Sequence, residues 1–306
     1  MDQWNGPTYY GRPQLKPAPF KKSLVGGYVF LAGVSGGAQL LATLLDLTRG
    51  DAVRGVVRRG RMLALLAPVI GSPLLIADLH TPKRFYNMLR VFKHTSPMSI
   101  GTWILTAFSL FSGATAAAQV LMDRVGGFGR IAKLAQVPAA AAGAGLGTYT
   151  AGLFSATSTP FWAAATRALA VRFAASSIAS AAAALSLCAD RRDVRQDLDM
   201  VCAGALAVEL AATLAAEEVN RRTGVDRAQD GVDGAMDRIG AVGIGTLLPL
   251  GLLSVALLTG SRSRTLSGSA ACAVLGGSLM MRIAMIGSGE ASAKRPDISL
   301  WYTQAR

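Results

Sequence analysis

The sequence predicts an all-α, polytopic membrane helix bundle of about eight transmembrane helices, and three observations carry that expectation. The 306 residues are 51% hydrophobic and 16% charged, with a mean hydropathy of +0.38, whereas a soluble protein carries about 25% charged residues. The charges gather in connectors between long apolar blocks, as in a polypeptide that crosses a bilayer repeatedly. Most of those blocks also lack the alternating polar face of a soluble amphipathic helix, which disfavours an alanine-rich soluble helical protein.

A span needs about 20 apolar residues. Blocks of that kind lie near 23–47, 61–80, 98–122, 134–156, 162–188, 199–219, 239–260 and 266–288. Pro68 and Pro73 in the second block predict a kink. Gly33 with Gly37, and Gly143 with Gly147, form small-xxx-small pairs that let helices approach closely. The chain reads as one integral membrane domain over 1–306, and two four-helix bundles would fit it, although no internal repeat is visible. Residues 1–22 read as an extended interfacial segment without a cleaved signal: Pro7, Pro13, Pro17 and Pro19 exclude a helix there, and Trp4, Tyr9 and Tyr10 suit the headgroup level. Residues 289–306 read as a polar C-terminal tail. Lys and Arg divide almost evenly between the connectors of the two sides, so they do not orient the chain.

The formal charge of +13 points to basic connectors facing anionic headgroups and acidic partners. No Lys/Arg run with interleaved aromatics favours nucleic acid. Cys188, Cys202 and Cys272 are far apart, with no CxxC, which excludes a disulfide framework and a four-cysteine iron–sulfur cluster. The two histidines, His80 and His94, lie at or beyond the end of the second block. A membrane b-type haem takes axial ligands from within helices, so no haem is expected either. Redox work by this protein would require electrons exchanged with another subunit.

Ionisable residues inside apolar blocks are expensive and face the bundle interior. Asp78 ends the second block, where the helix dipole disfavours an anion. Lys83, Arg84 or Arg90 is therefore its expected partner, either in a loop clasp or around a proton-handling or ligand-orienting carboxylate. Glu209 in "ALAVELAATLA" reads as a hydrogen-bonded interior glutamate or a proton relay. Arg282 in "GGSLMMRIAMIG" demands a counter-ion, with Glu209 and Asp78 the candidates. Arg167 and Arg172 occupy different faces of one helix, Arg167 close enough to its end to snorkel. Tyr149, among small residues in "GAGLGTYTAGLF", reads as a donor to a quinone carbonyl or as an interfacial tyrosine bonded to backbone; Tyr28 carries the same two readings.

Four stretches carry a resemblance. The run "TYYGRPQLKP…GGYVFLAGVSGGAQLLA" (8–42), "LLIADLHTPKRFYNMLRVFKHTSPMSIGTW" (74–103), "LGTYTAGLFSATSTPFW" (146–162) and "GGSLMMRIAMIGSGEASA" (276–293) together resemble the NrfD-like, polysulfide-reductase-type membrane subunits. The second stretch is the most specific. The resemblance implies a haem-free bundle in the cytoplasmic (inner) membrane that binds menaquinone or ubiquinone in anaerobic respiration. It further implies docking of a ferredoxin-like iron–sulfur subunit, joined to a molybdopterin or multihaem catalytic subunit. The protein would then hold no catalytic centre of its own and act as the quinone-reactive subunit.

In that family the quinone site lies near the membrane surface facing the iron–sulfur partner. It uses a polar residue near the start of span one and a tyrosine in span four. Tyr149 matches the latter. Tyr28 stands where better-understood members have histidine, and a tyrosine is a poorer proton carrier near neutral pH. The loop carrying Lys83, Arg84, Arg90, Lys93 and His94 then falls beside Tyr28, where the partner would dock. Two other classes stay open: a structural anchor without quinone chemistry, and a proton- or ion-translocating protein built on Asp78, Glu209 and Arg282.

Overall fold

The computed structural model describes residues 15–260 and 263–304; Trp4, Tyr9 and Tyr10 lie outside the described residues. Residues 15–21 run without helix into α1 (Lys22–Arg49). A 3-10 turn, Gly50–Val53, leads into α2 (Arg54–Leu63), a π-helical turn at Ala67–Gly71 and α3 (Ser72–Asp78). The wide turn sits at the expected kink. Pro68 lies within it and Pro73 is the second residue of α3 after it, and each removes a backbone donor from the helical ladder.

A 3-10 helix, Pro82–Leu89, precedes α4 (Pro97–Val125). The start of α4 is built from Ser96, whose hydroxyl caps the Ser99 N–H, and from Pro97 at the first helical position, where no donor is needed. Then come α5 (Gly129–Ser155), the short α6 (Pro160–Ala164), α7 (Thr166–Cys188) and α8 (Arg192–Thr223). Gly224 ends α8 in the left-handed region, φ 67°, which glycine adopts without strain. A 3-10 turn (Asp226–Gln229), α9 (Val232–Ala235), a π-helical stretch (Met236–Leu247) and α10 (Leu248–Leu258) form the next segment. Last come α11 (Arg264–Lys294) and α12 (Pro296–Gln304).

The protein is a multi-pass helical membrane bundle. By length and hydropathy, six stretches among the described residues can cross a membrane: Lys22–Asp78, Pro97–Val125, Thr166–Cys188, Arg192–Thr223, Val232–Leu258 and Arg264–Lys294. The expected count of eight is not reached on that measure, for two physical reasons. The first two expected spans fall in one run, Lys22–Asp78. That run folds back on itself: Gly60 lies on Ala42, Gly71 on Tyr28, and the Asp78 carboxylate accepts from the Lys21 N–H. The expected span 134–156 lies in α5, where the glycines and threonines together with Gln136, Pro138 and Tyr149 lower the mean hydropathy.

α1 is the central helix, packed against α2, α3, α5, α7 and α11. The small-residue positions make this closeness possible. The backbones of Gly36 and Gly143 touch at the α1–α5 crossing, while Gly37 lies on Ser177 and Ala181 of α7. Gly33 leaves room for the Arg282 guanidinium and Ser177 instead. One apolar cluster surrounds Tyr28, Phe154, Trp162 and Met281; another, at the other end of α1, surrounds Leu41, Val56, Leu185 and Leu198. The segment expected as a polar tail, 289–306, is helical for most of its described length. α11 continues to Lys294, and α12 buries Ile298 and Tyr302, four residues apart and so on one helical face.

Candidate functional site

Tyr28 and Tyr149, far apart in sequence, line one cavity of about 280 Å3. Tyr28 occupies the second turn of α1, its ring against Gly71 in the π-helical turn. Tyr149 projects from α5 onto α4 at Gly101, where any Cβ would overlap the phenol ring. Its hydroxyl donates to the Pro97 carbonyl at 2.7 Å. The Tyr28 hydroxyl makes no hydrogen bond to a described residue.

The walls are apolar: Leu75, Ile76 and Leu79 from one side, Met98 and Leu105 from α4, Leu153 and Phe154 from α5. Thr102, Thr106 and Ser109 also line the cavity, but each donates to the carbonyl four residues before it, at 3.0, 2.8 and 2.7 Å. No Asp, Glu, His, Lys or Arg among the described residues lines it. The result is an apolar slot with one unengaged phenol donor and a second that a rotation about its C–O bond can redirect.

Asp78 does not have the expected partner. Lys83, Arg84 and Arg90 make no ion pair with a described residue. Instead the half-buried Asp78 carboxylate accepts from the backbone N–H of Lys21, at 2.9 Å. That places it at the N-terminus of α1, where the helix dipole favours an anion and offsets the unfavourable end of its own helix. The 3-10 helix Pro82–Leu89 keeps the basic residues outward. Lys83, Arg84, Arg90, Lys93 and His94 are all exposed at the Tyr28 end of the bundle, with Phe85, Tyr86 and Phe92 exposed among them. His80 is exposed too, and no group of three or more His, Cys, Asp or Glu among the described residues is placed to hold a metal.

Glu209 and Arg282 both belong to a separate, buried polar cluster. Arg172 binds Asp237 through both terminal nitrogens, at 3.1 and 2.6 Å, with side chains only 4% and 5% exposed. Arg282 donates to the Ser278 carbonyl at 2.9 Å and to the Ser177 hydroxyl at 3.2 Å, and its guanidinium lies 5.7 Å from the Phe173 ring centre. Glu209 lies within electrostatic reach of both arginines, but among the described residues it forms no ion pair with either; neither of the two expected counter-ions, Glu209 and Asp78, makes an ion pair with Arg282 there. Arg167 is exposed, as its position near the helix end predicts.

The cluster is anchored beside Gly33, five residues and about 7.5 Å deeper along α1 than Tyr28. None of its four charged members lines the cavity. Sequence reasoning missed Asp237, which reads as part of a mixed connector. The embedded Arg172 was the signal that a second buried acid is required. Gly101 was missed as well, since only the Tyr149 ring across from it explains the glycine.

The stretches 146–162 and 276–293 converge on Trp162. Its indole stacks on Phe154 at 4.5 Å and 13°, and its N–H donates to the Met285 carbonyl at 2.9 Å. Gly289 leaves the space that the indole fills. Phe154 is a cavity wall, so this contact supports the site from behind.

Comparison with known proteins agrees with this architecture. A polysulfide reductase polypeptide of Wolinella succinogenes is 33% identical over 84 residues, covering 26% of this sequence and 26% of that protein. The match thus spans about a quarter of that relative's length. A family model described as polysulphide reductase, NrfD, matches residues 14–292. With nearly the whole bundle inside that match, the protein belongs to the polysulphide reductase NrfD family.

Proposed function

We propose that this protein is the quinone-binding membrane subunit of a respiratory oxidoreductase in the cytoplasmic (inner) membrane. It exchanges electrons between the quinone pool and a ferredoxin-like iron–sulfur subunit, itself joined to a molybdopterin or multihaem catalytic subunit. The observation that carries the reading is that two phenols line one apolar cavity at the end of the bundle where the basic, aromatic loop is exposed.

The residues fit the group. The cavity is close to the lower end of ligand-pocket volumes, about 300 Å3. Its aliphatic and aromatic walls suit a quinone ring and the start of an isoprenoid tail. A bound menaquinone or ubiquinone supplies two-electron, two-proton chemistry. Tyr28 donates to one ligand oxygen with its unengaged hydroxyl, and Tyr149 turns its hydroxyl from the Pro97 carbonyl toward the other. The apolar walls exclude water, which strengthens both hydrogen bonds. Asp78, half-buried between wall residues Ile76 and Leu79, passes protons between the cavity mouth and solvent. Glu209 and Arg282 lie deeper and connect the interior electrostatically. Lys83, Arg84, Arg90, Lys93 and His94 meet the acidic surface of the iron–sulfur partner.

The test is binding of a short-tailed menaquinone analogue to the purified protein in lipid nanodiscs. Each phenol donor is worth about 1–1.5 kcal/mol, so Tyr28→Phe and Tyr149→Phe each weaken binding about tenfold. Leu105→Trp fills the slot and abolishes it. Wild-type affinity in all three variants would sink the reading and leave the structural anchor.

A further inference from the structure

Another cavity, in this case polar, lies at the other end of α1. Asp46 follows Tyr28 by 18 residues, about 27 Å along the helix. Asp46, Asp51, Arg54, Arg61, Arg130 and Lys133 line a cavity of about 350 Å3 there. None of them belongs to the site described above.

Its two acids are already neutralised. Asp51 accepts from Arg54 at 2.8 Å; Asp46 accepts from Arg61 at 3.1 Å and from Gln136 at 2.8 Å. Arg61, with its side chain 4% exposed, also donates to Gln119 at 2.5 Å and to Gln136 at 2.6 Å. Its buried Nε nevertheless finds no acceptor among the described residues, and an unmet buried cationic donor is costly. Arg130 and Lys133 are exposed and make no ion pair with a described residue. Both stand in the first two turns of α5, where the helix dipole disfavours cations. Helix stability therefore gives no reason for them, whereas an anion between them and Arg61 does. The N-terminus of α2, at Arg54, opens onto the same cavity and adds to its preference for negative charge.

We propose that this cavity is an anion site for a phosphate group, carried by an anionic phospholipid headgroup or by free phosphate, with Arg61 as its floor and Arg130 and Lys133 as its lip. The test uses the full-length protein, purified and delipidated in detergent, and follows its thermal unfolding midpoint. Phosphatidylglycerol, phosphatidylcholine and inorganic phosphate are added separately, the last against chloride of equal ionic strength. Phosphatidylglycerol is expected to raise the midpoint by several degrees more than phosphatidylcholine. Arg130→Gln/Lys133→Gln loses at least half of that rise. Arg221→Gln/Arg222→Gln, two exposed cations at the opposite end, keeps it. A rise with phosphatidylglycerol alone identifies the headgroup as the source; an equal rise with inorganic phosphate, lost in the same double variant, identifies the free anion. Equal effects of phosphatidylglycerol and phosphatidylcholine with none of phosphate would overturn the proposal, as would a double variant that responds like wild type. Native mass spectrometry of retained phosphatidylglycerol gives the same comparison if the double variant shifts the basal midpoint.

Discussion

A methyl group on Gly101 collides with the Tyr149 ring, so Gly101→Ala must push the phenol out of its place. The Tyr149–Pro97 bond breaks, and overpacking of this kind costs about 1–3 kcal/mol. Gly101→Ala is therefore expected to lower the unfolding midpoint and weaken quinone-analogue binding together. Unchanged binding would show that the Tyr149 position is irrelevant to the ligand. The buried Arg172–Asp237 pair makes a different prediction. Removing one partner strands a charge in the bundle and costs about 3–5 kcal/mol. Arg172→Met and Asp237→Leu should each destabilise strongly, while the double variant recovers much of the loss. Thermal unfolding checks this, with Arg167→Gln on the exposed face as the mild reference; singles as mild as that reference would refute it. At this scale the sequence was partly legible. Tyr149, Glu209 and Arg282 stand out because a polar group in an apolar block needs a reason. Asp237 and Arg61 did not stand out, since Asp237 lies just before the block at 239–260 and Arg61 at the very start of the block at 61–80, both beside other charges.

The elements owe their spacing to small residues, and α1 is the most dependent on them. Gly36 meets Gly143 backbone to backbone where α1 crosses α5, the two helices that carry the two phenols. Gly36→Leu should separate these helices, lower stability and disperse the cavity in one step. Gly152→Leu, on the same α5 but with open space around it, is the matched control. Comparable losses in both variants, by unfolding midpoint and analogue binding, would show that the crossing is not special. The GxxxG spacing announced close approach but not which partner each glycine meets. Gly33 serves Arg282 rather than a helix backbone, a use that only the rotation of α11 against α1 creates. The π-helical turn at Ala67–Gly71 has the same character. Pro68 and Pro73 forecast a bend, yet the direction that brings Gly71 under Tyr28 comes from packing.

For the whole molecule, the fold places the exposed loop with His94 at the α1 N-terminal end, together with the end of α8 at Arg221, and places Arg130 at the opposite end. Single cysteines at His94, Arg221 and Arg130, in a background lacking Cys188, Cys202 and Cys272, should report this in intact vesicles. The first two label from one side with an impermeant reagent and the third from the other. Labelling of the His94 and Arg130 positions from the same side would contradict the bundle. Hydropathy and residue type by themselves determined that the protein is a helical membrane bundle, because a lipid interior demands long apolar helices and leaves few polar residues to interpret. Only the tertiary structure decided which of those polar residues meet. It set Tyr28 with Tyr149, Arg172 with Asp237, and Asp78 with the Lys21 backbone rather than the basic loop. Such pairings depend on how each helix is rotated and how closely glycines let it approach, and mean hydropathy carries no record of either.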